Sequence, residues 1–394
     1  MTNTFAILGS GMQGTAAAYD LATFAQTDRI LVGDVDLRQA ESCANRVNEL
    51  LGKSICEAHE VNAMDAAELA DFLKEVDVVV SCVPYWMHPR IAEVAIDTMT
   101  DMVDMGGNTD ITMKTLDLDE RAKEADISLV PDTGLAPGLV NNIGLYMVEN
   151  LDECDSVKLY CGVLPQNPQP PFNYKLTFNM EGLVTEYDYK AVVLRDGEIE
   201  MVETLSEVET LYIEQLGEME AFVTSGGAST APYTLQGKTH SYEYKTIRFP
   251  GHCKLMRIFK DFGFWSEEKI DVRGAEVVPK DVFNAVFGPQ LAKYVDKDQC
   301  AVRGIGAGVK DGRETTIQID IFDMECEETG FTSMERLTGF STSIIAQEVA
   351  QGRVAKGAVR YEDAMTGTAF LSQLARRNID IQIKMTHELS PTGM

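Results

Sequence analysis

The chain has 394 residues, 45% hydrophobic and 24% charged, which is enough for two or three domains with full cores. Its 62 Asp and Glu against 34 Lys and Arg give a formal net charge of −28, which argues against nucleic acid as a partner. No apolar run approaches the ~18 residues of a membrane span, and the opening MTNTFAILGSG shows no basic leader or cleavage pattern, so a cytoplasmic setting is expected. The eight cysteines, at 43, 56, 82, 154, 161, 253, 300 and 326, contain no C-x-x-C pair, so neither a metal site nor a disulfide framework is expected.

In chain order, the first third alternates short apolar runs with helical patterns. Strands are expected at Phe5–Leu8, Ile30–Gly33, Val76–Ser81, Met102–Met105 and Ile127–Val130. Helices are expected over Leu37–Leu51, Ala66–Lys74 and Ile91–Thr98. This alternation predicts an α/β fold, a doubly wound parallel sheet of the Rossmann type with helices on both faces. The rhythm changes after PDTGLAPGL (Pro131–Leu139), where a helix is expected to about Glu149. Strand-like runs follow at Val157–Val163, Tyr174–Asn179, Ala191–Arg195, Ala301–Val309 and Thr315–Phe322, punctuated by RDGE and KDGRE turns. They predict a mostly antiparallel α+β domain, and from Thr338 the pattern is helical again. The expected division is a dinucleotide-binding domain over 1–134, an inserted α+β substrate and dimerisation domain over 135–335, and a helical tail over 336–394 that returns to the first domain.

The segment FAILGSGMQGTAAAYDLA sets Gly9, Gly11 and Gly14 in a G-x-G-x-x-G array between a strand and an Ala-rich helix. In that context Gly9 allows a tight turn, Gly11 lets a pyrophosphate approach the backbone, and Gly14 lets helix and strand pack closely. Ser10, Met12 and Gln13 complete the loop over the helix N-terminus, whose unpaired amides suit an anion. Twenty positions after Gly14, Asp34 ends the strand RILVGD, where a carboxylate accepts ribose hydroxyls and repels a 2′-phosphate. NAD is therefore expected over NADP, although Arg38 nearby could neutralise that phosphate. Val83 and Pro84 close another strand and are expected against the cofactor, with Asn108 after DMGGN as an amide contact. His88 reads as the start of the following helix.

The second domain concentrates unusual residues in NYKLTFNMEGLVTEY, FVTSGGAST and YKTIRFPGHCK. Taken with DMGGN, PDTGLAPGLVN and the closing TGFSTSIIAQ, they resemble the saccharopine dehydrogenase-like family, and within it the lysine 6-dehydrogenases. The resemblance covers nearly the whole chain. It implies a Rossmann domain, an inserted α+β domain, a substrate cleft between them, a nicotinamide cofactor, a homodimer, and oxidation at a C–N bond.

The chemistry of that reaction sets its own requirements. A hydride leaves the carbon beside an amine only when the nitrogen has a free lone pair, so an alkylammonium of pKa near ~10.4 must first lose a proton. Arg248 suits a substrate carboxylate through its planar fork. His252 is a candidate base, and Lys175 another if its surroundings lower its pKa. Asp132 and Glu181 are candidates for the ammonium side, and Thr224 and Ser225 for hydrogen bonds to substrate. Lys245 and Lys254 read as surface or ion-pair lysines. The reaction the resemblance implies is oxidative deamination of L-lysine at its ε-carbon, with saccharopine or a carboxyalkyl polyamine as the alternative. A glucose–fructose oxidoreductase-like enzyme is disfavoured because DMGGNTD stands where its Glu-Lys-Pro motif belongs. A semialdehyde dehydrogenase needs a nucleophilic cysteine at a helix start, and Cys154 and Cys161 lack that context. A non-catalytic NAD sensor predicts no convergent polar set in the second domain.

Overall fold

A computed structural model describes residues 2–387. Its first sheet has six strands in the first third of the chain: β1 (Thr4–Leu8), β2 (Arg29–Asp34), β3 (Cys56–Glu60), β4 (Val78–Ser81), β5 (Asp101–Asp104) and β6 (Ser128–Val130). They pair in parallel in the order β6-β5-β4-β1-β2-β3, and a two-residue strand at Gly357–Ala358 extends the β6 edge. The apolar runs are buried on both faces, as a parallel sheet covered by helices requires. Strand β3 (CEAHE) was not anticipated. Its polar composition matches an edge position, where one side of the ladder is left open.

The second sheet is mixed and built around three long strands. It comprises β7 (Glu153–Pro165), β8 (Ala191–Arg195), β9 (Glu198–Val202), β10 (Glu209–Ile213), β11 (Gly217–Val223) and β12 (Ser241–Arg248). After a small separate hairpin, β13 (Ile270–Val272) with β14 (Ala275–Val277), come β15 (Asp298–Lys310) and β16 (Arg313–Met324). The main path runs β10-β11-β12-β7-β15-β16 and ends on a last strand, Ile381–His387. Only the β12–β7 pairing is parallel within it.

Two expectations need correction. The run Tyr174–Asn179 is not a strand but an extended connection leading into the helix Met180–Asp188. Its alternating pattern is satisfied by packing: Tyr174 joins Leu183, Tyr187 and Trp265 in a hydrophobic cluster, with no ladder partner. The end of the chain is also not wholly helical. The helix Ser333–Ala350, opened by a Thr332/Glu335 capping box, packs against the helix Met12–Phe24, where a Cβ on Gly339 would lie 2.7 Å from that of Ala16. A buried ion pair, Arg377 Nε to Asp20 Oδ1 at 2.8 Å, ties the tail to that same helix. Yet Ile381–His387 pairs with β16 of the second sheet, because its alternating Ile381, Ile383 and Met385 suit a strand.

Candidate active site

The strand order of the first sheet reverses between β1 and β4, and ligands of doubly wound sheets bind at that switch point. The glycine loop leaves β1 there. Gly9 has φ +95°, and a Cβ on it would press within 2.9 Å of the Cys82 carbonyl that follows β4. A Cβ on Gly14 would lie 2.0 Å from the Gly9 carbonyl, so only glycine lets the helix Met12–Phe24 start this close to the strand. At Gly11 an added Cβ meets nothing within 4 Å, which leaves open space above the helix N-terminus.

Two joined chambers lie between the domains. The outer one, about 1020 Å³, is lined by Gln13, Cys82, Val83, Pro84, Tyr85, Gly106, Gly107 and Thr338 from the first domain and tail. Asn179, Ser225 and Gly226 face them from the second. The inner chamber, about 360 Å³, is lined by Cys161, Thr177, Tyr244, Thr246 and Arg248. Leu135, Ala136, Phe178, Glu186 and Met334 border both.

Among the described residues, Glu186 and Arg248 are the charged side chains on these walls, with Arg248 Nη2 3.5 Å from Glu186 Oε2. Arg248 ends β12 and is buried. Its Nε donates to the Tyr187 hydroxyl at 3.0 Å, one Nη donates to the Ile247 carbonyl at 3.0 Å, and the guanidinium stacks 5.1 Å from the centre of the Tyr174 ring. Burial works against its charge, but the Glu186 carboxylate and the hydrogen bond to Tyr187 favour it, and its pKa is raised further. The Glu186 side chain is 30% exposed, an opening that gives onto the cleft. Burial pushes its carboxyl up to about 7, against the pull of Arg248. Its Oε2 is a buried acceptor with no hydrogen-bond donor among the described residues.

The other candidates fall at varied distances from this pair. Val83, Pro84, Gln13 and Ser225 line the outer chamber, although the Ser225 hydroxyl donates to the Thr185 carbonyl at 2.8 Å. Thr224 stands behind the wall, sharing a 2.7 Å hydrogen bond with Thr246. Asn108 caps the helix Thr109–Leu116 through the Ile111 amide and lies outside both chambers. Lys175 donates to the Asp296 carbonyl and does not reach either chamber. Glu181 is bound to Lys280 Nζ at 2.6 Å and lines neither chamber. His252 is buried behind Arg248, where burial and then the guanidinium charge push it down to about 3. Asp132 is buried below the cleft floor, accepting from Thr112 at 3.0 Å and from Ser229 of the opposite domain. Burial, and then the charge of Asp104, push its carboxyl up to about 8. Lys245 pairs with Glu209 at 2.9 Å, and Lys254 is exposed. His88 starts the helix His88–Thr98 and contacts the Ser81 hydroxyl at 3.0 Å.

Ser10 and Met12 flank Gly11 within the glycine loop, and both the Ser10 amide and hydroxyl donate to Asp34 Oδ2 at 2.8 Å. Asp34 thus sits beside the loop as the fingerprint requires. Arg38, 86% exposed, is held by Asp36 at 2.8 Å. The residues present fit a nicotinamide dinucleotide. Open space lies over Gly11, an acidic group closes β2, and both amide atoms of Gln13 are buried at the cleft with no partner among the described residues.

Parallel order, glycine loop and interdomain cleft define a two-domain protein of the nicotinamide-dinucleotide-binding class. Comparison with known proteins narrows this. Residues 5–130 match the saccharopine dehydrogenase NADP binding domain, and residues 134–379 match the saccharopine dehydrogenase C-terminal domain. The chain belongs to the saccharopine dehydrogenase family.

It is 30% identical over 183 residues to saccharopine dehydrogenase (NADP(+), L-glutamate-forming) of Saccharomyces cerevisiae, a match covering 44% of this chain and 40% of that one. It is 22% identical over 281 residues to alpha-aminoadipic semialdehyde synthase of Arabidopsis thaliana, covering 68% of this chain and 25% of that one. These matches span less than half the length of either relative. A solved apo structure of the Saccharomyces cerevisiae saccharopine dehydrogenase superposes with a TM-score of 0.77 over 98% of this chain and all of that one, at 18% identity, and so shares the fold.

Proposed function

We propose that this chain is an NAD(P)-dependent oxidoreductase that oxidises a C–N bond of an amino acid, and that its substrate is L-lysine, attacked at the ε-carbon. The observation that carries this reading is that, among the described residues, one cation and one carboxylate line the cleft walls. Arg248, held from behind, offers its remaining N–H groups to one substrate carboxylate. Glu186 borders both chambers, so it lies between that clamp and the cofactor side. With a pKa near neutrality it takes the ε-ammonium proton, and the freed lone pair forms the C=N bond as the hydride leaves. Bound dinucleotide supplies the hydride acceptor. Water then releases ammonia from the imine and leaves the semialdehyde. The proteins named in the comparison favour a second reading, saccharopine as substrate. Against it, saccharopine carries several carboxylates, and Arg248 is the one cation lining the chambers among the described residues.

A screen of dinucleotide reduction with lysine, saccharopine, ornithine and carboxylated polyamines tests the reading. Lysine should give the highest kcat/KM. A clear preference for saccharopine would overturn the substrate assignment.

Cofactor choice is part of the proposal. Asp34 ends β2 beside the glycine loop, and Arg38 is already engaged by Asp36, so a 2′-phosphate meets net negative charge. NAD should bind more tightly than NADP, and Asp34→Ala should narrow the gap. Tighter NADP binding by the wild type in a calorimetric titration would contradict this. The same proposal includes a cytoplasmic homodimer, the assembly the family resemblance implies. Ile381–His387 ends the second sheet with Ile383 and Met385 exposed. No helix among the described residues is long and apolar enough to cross a membrane.

A further inference from the structure

Behind Arg248 runs a chain of three hydrogen bonds whose directions can be worked out from chemistry alone. His252 Nδ1 lies 3.1 Å from the Phe172 carbonyl oxygen. A carbonyl only accepts, so Nδ1 carries the proton. In a neutral imidazole Nε2 is then the bare nitrogen and accepts from the Tyr187 hydroxyl at 3.1 Å. With its own proton committed to His252, the Tyr187 oxygen turns a lone pair to Arg248 Nε–H at 3.0 Å. All three side chains are buried, and among the described residues the Tyr187 hydroxyl and the imidazole nitrogens have no further hydrogen-bond partner.

We infer that His252 and Tyr187 are positioning residues that fix the rotation of the Arg248 guanidinium toward the inner chamber and thereby set affinity for the substrate carboxylate. His252 is not on the chamber wall and does not touch the reacting atoms. The relay has a fixed polarity: Arg248 donates to Tyr187, Tyr187 to His252, and His252 to the backbone of Phe172. A second proton on His252 would reverse one link and place two cations across a single hydroxyl. The low pKa of His252 agrees with this arrangement. Without the relay, Nε–H would be a buried charged donor lacking an acceptor, and the guanidinium would turn to find one. The inference rests on Arg248 being the carboxylate clamp.

Nitrogen-15 NMR of the histidine-labelled full chain, which has five histidines, reads the tautomer directly. The signal missing from His252→Gln identifies the residue. It should report a protonated Nδ1 and a bare Nε2, and Tyr187→Phe should shift the Nε2 resonance. In steady-state assays Tyr187→Phe and His252→Leu should each raise KM for lysine about ten- to a hundredfold, with kcat and dinucleotide KM nearly unchanged. His252→Gln, whose side-chain oxygen can accept near the Nε2 position, should recover most of the loss. An Nε2-protonated tautomer, or variants that lower kcat and leave KM unmoved, would overturn the relay. If lysine proves not to be a substrate, the tautomer and its response to Tyr187→Phe still decide whether the relay exists.

Discussion

Replacing Glu186 with glutamine is expected to lower kcat by roughly two to four orders of magnitude, the usual contribution of a positioned general base. Glutamine keeps the size and a carbonyl acceptor but cannot take a proton. The pH profile should change in a defined direction. Glu186 must be ionised to act, and burial has raised its carboxyl to about 7. In the wild type kcat/KM should therefore be low in acid and rise through about pH 7. A second rise follows at higher pH as free lysine loses its own ammonium proton. In Glu186→Gln the limb near pH 7 should vanish and the upper one remain. A variant that keeps the lower limb would show that another group takes the proton.

Arg248→Ala should act on binding instead. Removing one member of a buried charge pair typically costs about 2–5 kcal/mol, which corresponds to roughly 30- to 5000-fold in affinity. KM for lysine should rise by that order, while dinucleotide affinity, which depends on the glycine loop, stays nearly constant. Glu186 then loses its neighbouring cation, whose pull had opposed burial. Its pKa should climb further and carry the lower limb of the profile to higher pH. Arg248→Lys should recover little, since an ammonium cannot present the planar fork or donate to Tyr187 and Ile247 together. Substrate-saturation curves with each cofactor separate these outcomes from a general loss of folding.

The cofactor domain was legible in the sequence because its physics is local. A strand, three glycines at fixed spacing and an acidic residue twenty positions on suffice, and the buried runs of β1, β2 and β4 are apolar throughout. Arg248 was legible as a rare cation beside a Pro-Gly turn. Glu186 was not. It lies five residues after Glu181 on the helix Met180–Asp188, about 140° around the axis, and only the packing of that helix decides which carboxylate meets the cleft. Glu181 turns to Lys280 and Glu186 turns to Arg248. The one hint was its place beside Leu183 and Tyr187, residues that helical spacing puts on the buried face. Burial likewise separates His252 from the chemistry, since an imidazole looks the same in sequence whether it faces substrate or stands behind an arginine. Tyr174–Asn179 misled because alternation marks one buried side of an extended segment, and a neighbouring helix can supply that burial as well as a sheet can.

The central claim is that the cleft removes a hydride from the carbon bearing the distal amine of an amino acid held by its carboxylate. Single-turnover reduction of NAD with lysine deuterated at both ε-hydrogens tests this most directly. Deuterium should appear on the reduced dinucleotide, and the transient should slow relative to unlabelled lysine. Lysine deuterated at the α-carbon should behave as unlabelled. Transfer of the α-deuterium to the dinucleotide, or reduction by lysine without any transfer of ε-deuterium, would contradict the account.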